Sequence, residues 1–367
     1  MKVCHISSVH KSNDVRIFHK ECCSLSNAGH EVSLVIANAK SEVVNGVKII
    51  GVQSKVNSRI LRVIKTVYHV YQVAKKENAQ IYHLHDPELL LIALFLKSKN
   101  SKVIFDSHED LPRQLLTKHW IPKLLRKTLS FLVEHFENFI IKRIDGVVAA
   151  TPFIRDRFLK TNSKTIDVNN YPILKELISE YPTNSIKENA IVYVGGITNE
   201  RGIFELIKAL PLCNANIKLN LAGEFSHSAI FNKASNTKGW EKVNYKGFLN
   251  RSQIKELLNQ SKAGIVTLHP TLNYLDSLPI KMFEYMACEL PVIVSNFPYW
   301  QKLLENFNCA IFVNPLNEHE IADAIDYILS HPMEAKLMGE RGKKAVIEKF
   351  NWEVEEQKLI HFYNQLL

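Results

Sequence analysis

Short apolar segments rich in β-branched residues alternate with helical patterns along most of this 367-residue chain. The segments are 2–7, 31–37, 47–52, 80–85, 102–107 and 146–150 in the first half, and 190–196, 217–223, 264–269, 291–296 and 310–315 in the second. Almost continuous apolar strands that alternate with helices are typical of parallel sheets with helices on both faces. We therefore predict an α/β fold with two doubly wound, Rossmann-like domains.

A stretch without strong patterns separates the two halves and carries Pro172, Pro182 and several asparagines. Because such a composition is typical of a linker, we predict a first domain over 1–170, a linker over 171–188 and a second domain over 189–349. Ligands of open parallel sheets bind at the carboxyl ends of the strands. Two such domains facing across a cleft would place the functional site in that cleft.

The net charge of +9 is unevenly distributed, because the basic excess lies in residues 1–170 and the second half is slightly acidic. This asymmetry predicts contact between the first half and an anionic surface, either nucleic acid or phospholipid headgroups. The cysteines form no CxxC pair and are expected to be reduced packing residues of a cytosolic protein. The longest apolar run, 89–96, is too short to span a membrane.

The stretch 275–296, "LDSLPIKMFEYMACELPVIVSN", places Asp276 before a predicted helix and Glu284 inside it. Ser277 is a favourable N-cap residue, and Pro279 suits the first helical turn. The free amides at the start of such a helix attract phosphate, and Lys281 adds a positive charge in the first turn. The stretch therefore predicts a phosphate site at a helix end.

The two carboxylates of this stretch are suited to hold sugars on either side of that phosphate. Glu284 lies roughly 7.5 Å along the helix axis from its start, about one ribose away, and can accept both ribose hydroxyls. Asp276 would face the group that the diphosphate carries. The alternative is a solvated loop aspartate and a helix-surface glutamate, and the stretch alone leaves both interpretations open.

The same stretch resembles the donor-site segment of retaining glycosyltransferases with the GT-B fold, family 4 in their sequence classification. That family has two acids separated by seven residues; here Asp276 stands in place of the first glutamate, and Glu284 matches the second. Further motifs follow in the family's order: "AGHEVSLV" (28–35), "LHDPELL" (84–90), "VIFDSHED" (103–110), "VYVGGITNERGIFELIKAL" (192–210), "LAGE" (221–224), "YKGFLNRSQIKELL" (245–258) and "FNWEVEEQKLIHFYNQLL" (350–367). The resemblance also implies that the closing helix, 350–367, crosses back to pack on the first domain.

In the family, a basic residue after the glycine loop neutralises the donor diphosphate, and by alignment this residue is Arg201. A second basic residue normally follows the first glycine of the loop; this chain has Gly196 there, and Lys281 is the candidate that supplies the lost charge. The donor-binding residues that the resemblance implies are Gly195, Gly196, Arg201, Glu224, Phe248, Ser277, Leu278, Pro279, Lys281 and Glu284. Glu289 replaces a helix-ending glycine, at a cost of about 1 kcal/mol if its backbone is left-handed.

On the acceptor side, His108 matches the family's histidine that contacts the transferred sugar. The acceptor-binding residues that the motifs suggest are Asp14, Arg16, Asp86, Glu109 and Asp110. Two of them have an alternative role, because Asp14 is equally suited to N-cap a helix and Asp86 to cap the helix that starts near Pro87.

His83 and His85 alternate along a strand and point to one face of it, which could suggest a metal site. No second cluster with metal-ligand spacing accompanies them, so we predict no metal and no cofactor. The resemblance implies metal-independent transfer in which the leaving diphosphate takes the acceptor proton and charge stabilisation carries most of the catalysis. The catalytic residues would be His108, Arg201, Lys281 and Asp276. We expect UDP rather than GDP as the nucleotide of the donor.

The segment 113–143 mixes cations with apolar residues, as helices at a membrane surface do. Its cations and its aromatic include Lys118, Trp120, Lys123, Arg126 and Lys127. The resemblance implies a cytoplasmic protein bound peripherally to the inner membrane face through this segment, with a glycan or glycolipid acceptor. The alternative is that the apolar stripe belongs to the core. No stacking-aromatic or recognition-helix motif supports nucleic acid as the partner.

The function implied is retaining transfer of a hexosyl or N-acetylhexosaminyl group from a nucleoside-diphosphate sugar to a glycan hydroxyl, in the synthesis of a bacterial surface polysaccharide. Three alternatives stay open. They are a nucleotide-sugar 2-epimerase of the same fold, a hydrolase that uses the His83–Asp86 and His108–Asp110 groups, and a non-catalytic partner subunit. Release of nucleoside diphosphate in the presence of an acceptor separates the transferase from all three.

Overall fold

The computed structural model describes residues 1–54, 62–118, 121–178 and 187–366. These residues form two compact units: Met1–Asn170 with Val354–Leu367, and Tyr171–Glu353. Trp120 and residues 179–186 of the predicted linker lie outside the described residues. In the described part of the chain, no helix is both long and apolar enough to span a membrane.

An eight-stranded sheet forms the centre of the first unit, in the order β3-β4-β2-β1-β5-β6-β7-β8. The strands are β1 (Lys2–Ser7), β2 (Glu31–Ala37), β3 (Glu42–Val44), β4 (Val47–Val52), β5 (Ile81–Leu84), β6 (Lys102–Ser107), β7 (Gly146–Ala149) and β8 (Thr165–Asp167). All neighbours are parallel except β3 and β4. The sheet confirms the predicted parallel strands, and β3 and β8 are additional short ones.

Helices cover both faces of this sheet, as its continuously buried strands require. They are α1 (Cys23–Asn27), α2 (Val67–Lys76), α3 (Leu90–Leu96), α4 (Leu111–Thr117), α5 (Lys123–Ile141) and α6 (Pro152–Leu159), with π-helical turns at Val15–Cys22 and Arg62–Thr66 and a 3₁₀ turn at Pro87–Leu89. The helical segment that ends with α1 is followed by Gly29, whose φ of 83° is the left-handed value predicted there.

The second unit has a six-stranded, fully parallel sheet in the order β11-β10-β9-β12-β13-β14. Its strands are β9 (Ala190–Val194), β10 (Lys218–Ala222), β11 (Val243–Gly247), β12 (Ala263–Val266), β13 (Val292–Ser295) and β14 (Ala310–Val313). Its helices are α7 (Leu174–Leu177), α8 (Ile203–Ala209), α9 (Ser228–Ser235), α10 (Arg251–Gln260), α11 (Ile280–Ala287), α12 (Pro298–Leu304), α13 (Glu318–Ser330) and α14 (Pro332–Glu348). Short 3₁₀ turns lie at Asn199–Arg201, Leu210–Leu212 and Trp240–Lys242. The last helix, α15 (Trp352–Leu366), belongs to the first unit from Val354 onwards.

The turn after α11 contains Glu289, the residue that stands in place of a helix-ending glycine. Glu289 has a φ of 56°, and α14 packs directly against its backbone. A β-carbon on Gly339 of α14 would lie 2.2 Å from the carbonyl oxygen of Glu289. The Glu289 carboxylate pairs with Lys343 at 2.7 Å, and both side chains are partly exposed. The strained backbone is therefore fixed by close packing and by one surface ion pair.

We expect Glu289→Gly to raise the free energy of unfolding by about 0.5–1 kcal/mol, because glycine adopts the left-handed backbone without strain. The loss of the partly exposed ion pair with Lys343 offsets part of the strain relief, since exposed pairs contribute about 0–1 kcal/mol, and the increase that we expect is the net gain. The urea midpoint of unfolding measures the change. Glu289→Ala is the matched control, because it removes the ion pair and keeps the strain, and it should lower the midpoint. Equal destabilisation by both variants would contradict the prediction.

Candidate functional site

Helix α11 has Pro279 as its N-cap, with backbone angles φ −71° and ψ 116°. The prediction of Ser277 as the N-cap, with Pro279 inside the first turn, is therefore wrong. Ser277 is used in the preceding turn, because its hydroxyl donates to the carbonyl of Tyr274 at 2.9 Å and its own carbonyl accepts from Trp300 Nε1 at 2.7 Å. No described side chain caps the first N–H groups of α11.

Lys281 lies in the first turn of α11 and is buried. Its Nζ lies 3.9 Å from the centre of the Tyr193 ring and makes no hydrogen bond to any described residue. Burial, followed by the positive charge of Arg201, holds the pKa of Lys281 well below its ordinary value. Because a buried ammonium without a partner is costly, this side chain is suited to meet an anion.

Arg201 approaches the same place from the 3₁₀ turn after β9. Its Nη1 donates to the carbonyl of Gly196 at 3.1 Å. A β-carbon on Gly195 would lie 3.0 Å from Lys281 Nζ and 3.6 Å from Arg201 Nη1, and one on Gly196 would lie 3.1 Å from Arg201 Nη1. The two cations that the sequence singled out therefore converge on the loop formed by Gly195 and Gly196.

A cavity of about 510 Å³ opens beside this loop. Its floor is main chain, because Gly195 and Gly223 have φ values of 128° and 135° and cross closely. A β-carbon on Gly223 would lie 2.0 Å from the Gly195 carbonyl oxygen. The lining residues are Val194, Gly195, Gly196, Ala222, Gly223, Glu224, Phe225, Ser226, Phe248, Leu249 and Ile254. The structure thus brings together the predicted donor residues Gly195, Gly196, Glu224 and Phe248.

Glu284 is buried on α11, and its Oε1 accepts from Arg251 Nη1 of α10 at 2.7 Å. Arg251 also pairs with Glu176 at 2.7 Å. Sequence reasoning missed Arg251, because nothing in a single sequence links it with Glu284. Asp276 is partly buried, and burial raises the pKa of its carboxyl. Neither Asp276 nor Glu284 nor Lys281 belongs to the described lining of the cavity.

In the first unit, His108 follows β6, and 20% of its side chain is exposed. Its Nε2 lies 2.9 Å from Oδ2 of Asp106. Glu109 is exposed beside it. Asp110 is the N-cap of α4, where its carboxylate accepts from the N–H of Arg113 at 3.4 Å. These residues lie at the carboxyl end of a parallel strand, the position that favours a ligand.

Asp14 has the N-cap role that the sequence offered as its alternative, because its carboxylate accepts from the N–H groups of Arg16 and Ile17 at 2.9 Å. Arg16 itself is buried, and its guanidinium donates to both oxygens of Asp106 at 3.0 and 2.8 Å. The side chains of these two residues are therefore committed to partners inside the protein.

Asp86 is buried at the N-cap position of the 3₁₀ turn Pro87–Leu89, but its side chain does not cap that turn. The predicted capping bond is therefore wrong, because the carboxylate accepts instead from the N–H of Ser8 at 2.5 Å and the hydroxyl of Ser7 at 2.9 Å. Burial alone would raise the pKa of Asp86, but His10 and the two serines outweigh it and lower the pKa to about 2.

A cluster of histidines lies beneath His108 in the core of the first unit. His5, His83, His85 and Glu21 are buried and place one potential ligand atom each within 4.8 Å of one another. The sequence pointed to His83 on β5 and His85 directly after it. It missed His5, which the parallel pairing of β1 with β5 places opposite His83, and Glu21, which lies in the π-helical turn Val15–Cys22. By donor type this cluster could hold a transition metal.

Two family profiles match consecutive parts of the chain: "Glycosyltransferase Family 4" over residues 16–168 and "Glycosyl transferases group 1" over residues 176–345. The uncharacterized glycosyltransferase MJ1607 of Methanocaldococcus jannaschii is 29% identical over 179 residues, which cover 48% of this chain and 45% of MJ1607. The O-antigen chain mannosyltransferase RfbU of Salmonella typhimurium is 24% identical over 255 residues, which cover 66% of this chain and 69% of RfbU.

The crystal structure of HepE from Anabaena in complex with UDP and glucose aligns with a TM-score of 0.74 at 13% identity, over 100% of both chains. Two doubly wound parallel sheets of this kind define the GT-B class of glycosyltransferase folds. The two profile matches lie one on each unit, and this chain belongs to the GT-B glycosyltransferases of family 4 type.

Proposed function

We propose that this protein transfers a sugar from a nucleoside-diphosphate sugar to a hydroxyl of a glycan acceptor, with retention of the anomeric configuration. The observation that carries the proposal is the convergence of Lys281 and Arg201 on the loop at Gly195, beside a cavity large enough for a nucleotide. A buried lysine with no hydrogen-bond partner among the described residues and a neighbouring guanidinium are suited to the two phosphates of a donor. The start of α11 adds uncapped N–H donors.

In this proposal the chemistry depends on charge stabilisation. The leaving diphosphate accumulates negative charge as the glycosidic bond breaks, and Lys281 and Arg201 stabilise that charge at fixed positions. The diphosphate takes the proton of the acceptor hydroxyl, so no protein base and no metal is needed. Asp276 would contact the transferred sugar and Glu284 the ribose, with Arg251 holding the Glu284 carboxylate in place. His108 would contact the sugar or acceptor from the first unit.

We further propose UDP as the nucleotide and a surface polysaccharide as the product. The likeness to a protein crystallised with UDP and glucose supports the first, and the likeness to an O-antigen mannosyltransferase supports the second. The sugar would be a hexosyl or N-acetylhexosaminyl group.

A thermal-shift series with UDP, GDP and ADP tests the donor site, with Glu284→Ala and Glu256→Ala compared with the wild type. Glu256 is exposed on α10 and serves as the matched control. A ligand at ten times its dissociation constant stabilises by about 1.4 kcal/mol, enough for a shift of a few degrees. Stabilisation by UDP that Glu284→Ala loses and Glu256→Ala keeps would support the proposal. The absence of any shift in folded protein would count against it.

Release of UDP only when an acceptor is present would then identify a transferase. An epimerase would instead convert the donor without acceptor, a hydrolase would release UDP without acceptor, and a non-catalytic subunit would leave the donor unchanged. The size of the one-bond coupling between C1 and H1 in the product, compared with that in the donor, tests retention.

We also propose that α5 contacts the cytoplasmic face of a membrane, where a lipid-linked acceptor would lie. The helix exposes 92% of Leu124 and 59% of Phe131, while Ile140 and Ile141 at its other end are buried. Lys123, Arg126 and Lys127 lie in the same turns as the exposed apolar side chains. Exposed leucine and phenylalanine beside cations favour an anionic bilayer surface.

We expect Leu124→Glu to weaken binding to vesicles that contain phosphatidylglycerol, because it removes an exposed apolar side chain and adds a charge that anionic headgroups repel. The loss should be at least about tenfold in partition coefficient, since burying a leucine contributes about 1.5–3 kcal/mol. Sedimentation with vesicles measures it. Leu316→Glu, an equally apolar exposed position in the second unit, is the control. Equal binding by the wild type and Leu124→Glu would contradict the proposed surface.

A further inference from the structure

A continuous chain of hydrogen bonds crosses the core of the first unit and ends at Asp106. His83 Nδ1 lies 2.7 Å from the hydroxyl of Tyr363, and that hydroxyl lies 3.5 Å from His5 Nε2. His5 Nδ1 lies 2.8 Å from His85 Nε2, and His85 Nδ1 lies 3.2 Å from Asp106 Oδ2. All of these side chains are completely buried. Because these side chains are buried, the proton of each hydrogen bond in the chain must come from one of the two side chains that the bond joins.

The charge at the end of the chain is fixed by Arg16. Its guanidinium donates to both oxygens of Asp106. Burial alone would raise the pKa of Asp106, but Arg16, His108 and His85 outweigh it and hold the pKa well below its ordinary value. Burial, followed by the charge of Asp106, raises the pKa of the adjacent Glu21. Because the Arg16 guanidinium donates to both of its oxygens, Asp106 is the ionised carboxylate of the Asp106–Glu21 pair, and as a carboxylate it can only accept hydrogen bonds.

The donor and the acceptor of every other hydrogen bond in the chain follow from the acceptor role of Asp106. Because Asp106 only accepts, His85 carries its proton on Nδ1 and accepts at Nε2. His5 must then donate from Nδ1, and its Nε2 accepts from the hydroxyl of Tyr363, whose oxygen accepts in turn from His83 Nδ1. Burial lowers the pKa of all three histidines and raises that of Tyr363, so each is in the neutral form that this arrangement requires.

His108 donates to the same carboxylate oxygen from outside the core. Its Nε2 lies 2.9 Å from Asp106 Oδ2 and 3.3 Å from His85 Nδ1, so both imidazoles direct an N–H group at one oxygen. No described residue forms a hydrogen bond to Nδ1 of His108. With the proton on Nε2, the Nδ1 lone pair of this partly exposed ring is left to accept a hydrogen bond from a ligand.

We propose that Asp106 is a positioning residue that holds His108 as its Nε2–H tautomer, so that Nδ1 accepts a hydrogen bond from a hydroxyl of the bound sugar or acceptor. His85, His5 and Tyr363 keep Asp106 in place through the directed chain. This inference rests on the proposed role of His108 in sugar transfer. It adds four positioning residues, His5, His85, Asp106 and Tyr363, that are distant in sequence from each other.

A metal ion bound by His5, His83, His85 and Glu21 is the competing interpretation of this cluster. It would need the lone pairs of His5 and His85 that now face each other at 2.8 Å, in a bond that one proton satisfies. Both ring nitrogens of His5 and of His85 already have partners. The geometry therefore favours hydrogen bonds between these side chains over a metal ion bound in the histidine cluster.

The test is NMR of the full-length protein with isotope-labelled histidine side chains, in which the nitrogen shifts distinguish the two tautomers. His108→Gln assigns the signal of His108. We expect the His108 proton on Nε2 in the wild type. In Asp106→Asn we expect that preference to be lost and kcat to fall by about 10- to 100-fold, the range found for carboxylates that orient a metal-bound imidazole, with the affinity for UDP unchanged.

Tyr363→Phe, which keeps the ring and removes one hydroxyl, should change the His5 and His85 signals and lower kcat less than Asp106→Asn does. The control is Tyr68→Phe at an exposed position. A wild-type His108 protonated on Nδ1 would overturn the proposal, and so would stoichiometric metal in the purified protein whose removal shifts the His5, His83 and His85 signals. The tautomer is read without substrate, so a protein that binds no nucleotide would count against the proposed function and not against this result.

Discussion

The Lys281→Met variant is expected to transfer sugar about 100- to 1,000-fold more slowly than the wild type, because it loses one of two cations aimed at the leaving diphosphate. Methionine has nearly the shape of the lysine side chain and can keep the packing over Tyr193. Since it also removes a buried amine that has no hydrogen-bond partner among the described residues, the variant should be at least as stable as the wild type. Initial rates at saturating donor and acceptor measure kcat, and a urea midpoint excludes misfolding.

Lys208→Met is the control for this experiment. Lys208 is exposed and pairs only with Glu318 among the described residues, so its loss should leave kcat unchanged. Adding Gly196→Arg to Lys281→Met should recover part of the rate, since it returns a cation to the loop. A β-carbon at Gly196 meets only the movable end of the Arg201 side chain, at 3.1 Å. A kcat within threefold of the wild type in Lys281→Met would contradict the role of this lysine.

The second large effect that we expect is the uptake of one proton by Lys281 when the nucleotide-sugar donor binds. In the free protein, burial and then the charge of Arg201 hold the pKa of Lys281 well below its ordinary value. A bound diphosphate places negative charge beside the ammonium and raises that pKa again. The affinity is therefore highest at pH values below the free-state pKa, and falls as pH rises from the free-state to the bound-state pKa. Because one proton is taken up for each donor bound, the affinity for the donor falls by up to about tenfold per pH unit in this range.

Titration calorimetry with a UDP-sugar between pH 7 and 9 measures this effect, because the doubly esterified diphosphate of the donor does not titrate there. The apparent binding enthalpy should depend on the ionisation enthalpy of the buffer, which reveals proton uptake. Lys281→Met should abolish that dependence, whereas Lys208→Met should keep it. The same proton uptake in wild type and Lys281→Met would assign the proton to another group.

The parallel sheets could be predicted from the sequence because continuously buried strands need apolar residues at nearly every position. For this reason β1, β2, β4 and β6 have the predicted bounds. The edge strands β3 and β11 escaped prediction, since an edge strand is partly exposed and polar, as Lys246 in β11 and Glu42 in β3 show. Their identity depends on a neighbouring strand that supplies hydrogen bonds, and a local pattern does not record this.

The candidate site was predictable where one residue type at one position carries the chemistry. Lys281, Arg201 and the two loop glycines are of this kind, and the structure brings them together. Capping could not be assigned with the same success, because the Ser277 hydroxyl is used in the turn before the helix and the Asp86 carboxylate is used by Ser8 of a distant segment. Arg251, His5 and Tyr363 were missed, since each acquires its role only from residues that are distant in sequence.

The crossing of the two glycine turns at Gly195 and Gly223 limits how this cavity can be redesigned. The floor of the cavity is main chain, so it has no side chain that a substitution could change. Any β-carbon at Gly223 would collide with the carbonyl oxygen of Gly195. Substitutions intended to change which nucleobase or sugar fits must therefore come from the walls, at positions such as Phe225, Phe248 and Ile254. Selectivity can vary among relatives at these positions while the floor stays the same.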